Sequence, residues 1–86
     1  MSLLVISPKD NVAIVLRDVA GGEELSLGGA RLIAAEDIPY THKIALTDIP
    51  AGTAVIKYGE QIAESGRDIK KGERVHLHNL AVEQND

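Results

Sequence analysis

The apolar positions of this chain fall in short runs: "LLVI" at 3–6, "NVAIVL" at 11–16, "ARLIAA" at 30–35, "KIAL" at 43–46, "TAVIKY" at 53–58 and "RVHLHNL" at 74–80. Each is about the length of a strand and most are rich in β-branched residues. Gly, Pro or Asp punctuates nearly every gap, so the pattern predicts a mainly β chain. One stretch, "GEQIAESGRD" at 59–68, reads as helix, closed by Gly66 after two turns at most. No amphipathic helix is long enough for a βαβ crossover and no glycine loop could cradle a phosphate, which excludes a doubly wound nucleotide fold.

A second pattern lies over the first. An octad recurs as "DVAGGEEL" (Asp18 to Leu25), "DIPYTHKI" (Asp37 to Ile44), "DIPAGTAV" (Asp48 to Val55) and "DIKKGERV" (Asp68 to Val75). Asp comes first, a β-branched residue second and an apolar residue eighth. Gly is fifth in three copies, and Thr41 replaces it in the second. The reading is a tight turn that launches a strand, with Pro as the second residue of a type I turn and Gly as the fourth. The leading Asp accepts hydrogen bonds from turn amides, so Asp18, Asp48 and Asp68 are structural and not active-site carboxylates. Thr41 tolerates positive φ badly, so its turn is either strained or differently shaped.

Composition narrows the picture. At 86 residues the chain makes one domain, 1–86, too small to wall a deep substrate cavity by itself, since only about 60 to 65 per cent of the unfolded surface is buried at this size. There is no Phe, Trp or Cys, and Tyr occurs only at Tyr40 and Tyr58, so the core is built from Ile, Val, Leu and Ala without disulfides. The net charge is −4, with Lys and Arg scattered, which argues against nucleic acid as a partner. The opening "MSLLVISPKD" has neither the basic region nor the apolar length of a leader or a membrane span, and a cytoplasmic, soluble chain is expected.

The chemistry-bearing residues are three histidines and their neighbours. If "RVHLHNL" is a strand, His76 and His78 project from one face and can converge on a metal ion or an anionic substrate. Two imidazoles do not complete a metal shell, and the plain alternative is a polar strand face beside Arg74. His42 opens its own strand next to Lys43, a cation suited to a carboxylate ligand, or is an ordinary exposed strand entry. Lys57 and Tyr58 in "VIKYGEQI" either bind an anion or cover the edge of the core.

The segment 36–80 resembles the N-terminal domain of the altronate and galactarate dehydratases and the separate small subunit of the related sulfolactate sulfo-lyase. The residues that carry the likeness are His42-Lys43-Ile44-Ala45, Val55-Ile56-Lys57-Tyr58-Gly59, Asp68-Ile69-Lys70-Lys71-Gly72-Glu73 and Val75-His76-Leu77-His78-Asn79. "NVAIVLRDVAGGEEL" fits the family's opening strand and turn. Two departures stand out: Thr41 where the family usually has Gly before His-Lys, and Glu60-Gln61-Ile62-Ala63 in place of a commoner apolar stretch.

The resemblance implies an all-β SAF-type domain of β-clip fold, with short bent strands and at most one short helix. It implies a larger catalytic part that, with a divalent metal such as iron or manganese, eliminates water from a sugar acid. Only six residues follow Leu80, so that part is expected as a second polypeptide, or this chain as an excised N-terminal domain. The same likeness gives His42 and Lys43 catalytic roles, Lys57, Tyr58 and Asn79 substrate contacts, and His76 and His78 metal-ligand roles at the junction. A hydroxy-acid substrate and the larger chain are then the partners, with a homo-oligomer also open. The rival readings are a non-catalytic β-clip module that binds a carbohydrate or protein partner, and a purely structural subunit.

Overall fold

A computed structural model describes residues 2–81. It contains nine short strands: β1 (Leu3–Leu4), β2 (Val12–Val15), β3 (Glu24–Leu27), β4 (Ala30–Ile33), β5 (Lys43–Ala45), β6 (Ala54–Lys57), β7 (Glu60–Ser65), β8 (Arg74–Val75) and β9 (Leu80–Ala81). A single 3₁₀ turn, Leu77–Asn79, lies between β8 and β9. The strands form three antiparallel sheets of order β1-β2-β5-β8, β3-β4 and β6-β7-β9. The all-β expectation holds, but the helix expected at 59–68 is strand β7. Its residues pair with β6 across a two-residue turn, and that ladder overrides the local helical preference of Glu, Gln and Ala.

The octads organise the molecule. Their second residues, Val19, Ile38, Ile49 and Ile69, and their eighth residues, Leu25, Ile44, Val55 and Val75, are all buried. They divide between two cores. Octads one and two supply Val19, Leu25, Ile38 and Ile44 to the first, while octads three and four supply Ile49, Val55, Ile69 and Val75 to the second. The central strands serve both by alternation: Ala13, Val15 and Ile44 face the first core, Val12 and Ala45 the second.

Octads also interlock in pairs, through bridges Val19↔Ile38 and Ile49↔Ile69. Each leading Asp accepts a hydrogen bond from an amide in its partner's turn, and not in its own. Asp37 takes the Gly21 N–H at 2.8 Å and Asp18 that of Tyr40 at 2.8 Å; Asp68 takes Ala51 and Asp48 takes Lys71, both at 2.9 Å. This reciprocity ties the two turns of each pair to one another.

The turn itself sits one residue later than the sequence pattern indicates. His42 N–H donates to Pro39 O and Thr53 N–H to Pro50 O, so Pro is the first residue of the turn and the glycine is the third. The third position carries positive φ: 88° at Gly22, 78° at Gly52, 91° at Gly72 and 75° at Thr41. That is a type II turn, whose third residue favours glycine. Thr41 therefore keeps the shape of its siblings and carries the strain. Thr41→Gly is expected to raise stability by about 1 kcal/mol, read from the urea midpoint; an unchanged or lower midpoint would show that the threonine side chain compensates its own strain.

Candidate functional site

The β5–β8 register pairs Lys43 with Val75 and Ile44 with Arg74. Continued by one residue, it sets His42 opposite His76, at the point where both strands open into loops. The two rings stack, with centroids 4.7 Å apart and planes inclined by 26°. Both are half-buried, and His42 Nδ1 is buried with no hydrogen-bond partner among the described residues.

His76 and His78 are not strand neighbours on one face. The strand stops at Val75, His76 is extended (φ −152°, ψ −172°), and the chain then coils into the 3₁₀ turn, with Asn79 N–H donating to His76 O. Asn79 is the physical cause. Its side chain is buried, Oδ1 accepts the His76 N–H at 2.9 Å and Nδ2 donates to Arg74 O at 2.7 Å. Both ends of the Asn79 amide are therefore engaged, one on His76 and the other on Arg74, and this residue is a brace behind the site. His78 is exposed and outside the stack.

Arg74 and Lys43 lie near enough to His76 for their charges to act on it, and the Lys57 charge acts on Lys43. Among the described residues the ion pairs are Arg17–Glu23 and Arg31–Glu24, so Lys43, Lys57 and Arg74 have no carboxylate partner within ion-pair reach. Arg74, which sequence reasoning set aside as a neighbour, has its Nε buried and unpartnered; Glu36 accepts the Arg74 backbone N–H instead, at 3.1 Å. Lys43 is held below the usual lysine value of 10.5, by burial first and then by the Lys57 charge. His76 is held below 6.5 by burial, then by His42, Arg74, Lys43 and His78. Burial leads both shifts, and the neighbouring positive charges add to it, so that further protonation of this face is disfavoured. Lys57 lies over the Tyr58 ring, Nζ 4.9 Å from its centroid.

The donors do not form a metal shell. Among the described residues no group of three or more His, Cys, Asp or Glu side chains is placed to hold an ion. An imidazole binds a metal along a lone pair in its ring plane, and in nearly parallel rings 4.7 Å apart the lone pairs run side by side instead of meeting. The divalent ion expected from the sequence resemblance therefore does not fit the residues of this chain alone. The surroundings are also open. Two larger surface hollows, of about 440 Å³ beside Asp18 and Asp37 and about 690 Å³ beside Gln61 and Ile62, are lined by none of these side chains. Tyr40 and Leu77, next to the stack in sequence, are 57% and 66% exposed.

Known proteins resemble this chain over most of its length. Residues 1–83 match the model of the altronate/galactarate dehydratase SAF domain. The chain is 41% identical to an altronate dehydratase of Escherichia coli over 86 residues and 38% identical to one of Bacillus subtilis over 85, in each case 17% of the relative's length. Over 54 residues, 63% of this chain and 81% of the relative, it is 49% identical to the (2R)-sulfolactate sulfo-lyase subunit alpha of Paracoccus pantotrophus. The chain thus spans under a fifth of the altronate dehydratases it matches, but most of that subunit. With the match extending across β1 to β9, the chain belongs to the altronate/galactarate dehydratase SAF-domain family.

Proposed function

We propose that this chain is the SAF-domain part of a metal-dependent hydro-lyase, as a small subunit or an N-terminal domain, acting on a sugar acid or related hydroxy acid. The observation that carries the reading is the His42–His76 stack beside Lys43 and Arg74, with Lys57 next to Lys43 and, among the described residues, no carboxylate paired to any of the three. Such a face attracts a carboxylate, to which charge-assisted hydrogen bonds from Lys and Arg are stronger than neutral ones.

Elimination of water next to a carboxylate requires removal of a proton from the adjacent carbon, stabilisation of enolate-like charge, and protonation of the departing hydroxyl. Lys43 and Lys57 bind and orient the carboxylate. His76, its protonated form disfavoured, is suited to accept a proton, and the stacked His42 is suited to relay or return it. His78, on the far side of Leu77, contacts the substrate or the larger part. A divalent iron or manganese ion, if bound in the assembled enzyme, would supply Lewis acidity, and this chain's own residues do not make up a ligand set for it. That part is the partner implied by relatives of which this chain covers 17%, and by the relative named as a subunit.

The reading places the chain in the cytoplasm; among the described residues no helix is long and apolar enough to cross a membrane. Adding the chain back to its larger part and assaying dehydration of altronate or galactarate tests it.

A further inference from the structure

Lys57 and Tyr58 sit at the tip of the β6–β7 hairpin, and that tip is unfavourable to build. Its two-residue turn holds Tyr58 at φ 57° and Gly59 at φ 77°. These are the signs of a type I′ turn, which favours Asn, Asp or Gly at the first position and not tyrosine. The hairpin also belongs to a different sheet from β5, so no strand ladder fixes Lys57 relative to Lys43.

Two residues of the loop before β2 supply the missing connection. Asn11 behaves as one residue of an extra strand against β6. Its N–H donates to Ile56 O at 3.1 Å, its Oδ1 accepts the Ile56 N–H at 2.7 Å, and its Nδ2 donates to Ala54 O at 2.9 Å. On the other side its carbonyl accepts the Leu46 N–H at 2.9 Å, just beyond β5. Asp10 holds the tip: Oδ1 accepts the Gly59 N–H at 2.7 Å, while Oδ2 accepts those of Ile6 and Ser7, each at 3.2 Å. Ser7 then packs against Gly59 so closely that an added Cβ would lie 3.3 Å from its Oγ.

We infer that Asp10 and Asn11 are positioning residues of the cationic site: together they clamp the β6–β7 hairpin to β2 and β5 and so set Lys57 beside Lys43. The inference rests on the proposed role of the two lysines in binding the substrate carboxylate. Geometry apart, two observations agree with it. Burial holds Lys43 below 10.5, and the Lys57 charge adds to that. Burial pulls the Asp10 carboxyl upward, yet the amides of Gly59, Ser7, Ile6 and Tyr58 hold it below 3.8, so the clamp is ionised at neutral pH.

The test joins a titration with kinetics. In Asn11→Ala, NMR of the full chain should show Lys43 titrating closer to 10.5 as the Lys57 charge is released from its neighbourhood, with burial keeping it below that value. In the assembled enzyme, KM for altronate or galactarate should rise about tenfold with kcat changed less than about twofold. Asp10→Ala should act in the same direction, and Asp10→Asn, which keeps an oxygen for the Gly59 amide but cannot accept the Ile6 and Ser7 N–H groups with its Nδ2, should restore part of the loss. If Asn11→Ala does not fold, the Asp10 pair carries the same comparison. An unchanged Lys43 titration and KM in the alanine variants, alongside a raised KM in Lys57→Met, would overturn the clamp and leave the carboxylate site standing. An unchanged KM in Lys57→Met would overturn both.

Discussion

Gly72→Ala is expected to leave little folded protein. Gly72 has φ 91°, and a Cβ built there would overlap the backbone carbonyl oxygen of Ile33, which cannot swing aside as a flexible side chain could. The same residue ties three segments together: its N–H donates to Ala45 O and its carbonyl accepts the Ala35 N–H, both at 2.9 Å. Making room would separate the fourth octad from β5 and from the strand exit that packs the first core. Left-handed strain costs roughly 1–2 kcal/mol and forced backbone displacement brings the total to about 4 kcal/mol, a large part of what a small domain has. Gly22→Ala is the control, with similar φ but open space where the Cβ would go, and it should cost only about 1 kcal/mol. Circular dichroism through a urea series checks the pair; equal midpoints would refute the clash.

His76→Ala should lower kcat of the assembled enzyme by about 10²–10⁴-fold, the range for losing a general acid or base, while the chain stays folded. Losing one face of a stacked aromatic pair costs only about 0.5–1.5 kcal/mol, and the Asn79 brace acts on the His76 backbone, which alanine retains. His42→Ala should fall in the same range, and exposed His78→Ala should matter less. The pH profile carries a sign. Because the folded state holds His76 below 6.5, the base form needed for proton removal is already present at neutral pH, and activity should fall only as pH drops through that lowered value. The same sign holds for stability: the unfolded chain takes up the proton first, so stability is complete above 6.5 and declines as pH falls below it. Activity measured from pH 4 to 9, beside a thermal melt at each pH, separates the two.

Much of the fold was legible because the octad repeats a physical unit. Asp, a buried β-branched residue, a turn and a buried strand residue eight positions on define one interlocking piece, and all eight apolar positions proved buried. The likeness to the dehydratase family, read from the same segments, named the family correctly. What failed was local preference against non-local pairing. "GEQIAES" has the composition of a helix, and only its partner β6 makes it a strand. The turn register was misjudged because proline is at home in several turn positions, and the hydrogen bonds alone decide among them.

In the site, strand spacing joined His76 to His78, whereas the structure joins His76 to His42. The signal was present in Asn79, an amide three residues after His76 that can end a strand by bonding back to it. Arg74, Asp10 and Asn11 went unassigned for a different reason: their roles depend on partners up to 49 residues away, which no local pattern encodes.

The central claim is that this small chain brings an imidazole and cation face to an active site completed by a larger part. The direct test is to express the two parts separately, assay each alone and then mixed with divalent iron or manganese, and measure the 2-keto acid formed from altronate or galactarate. The account predicts negligible product from either part alone, turnover on mixing, and no recovery when the added chain carries His42→Ala and His76→Ala. Full turnover by the larger part without this chain, or equal rescue by the doubly substituted chain, would contradict it.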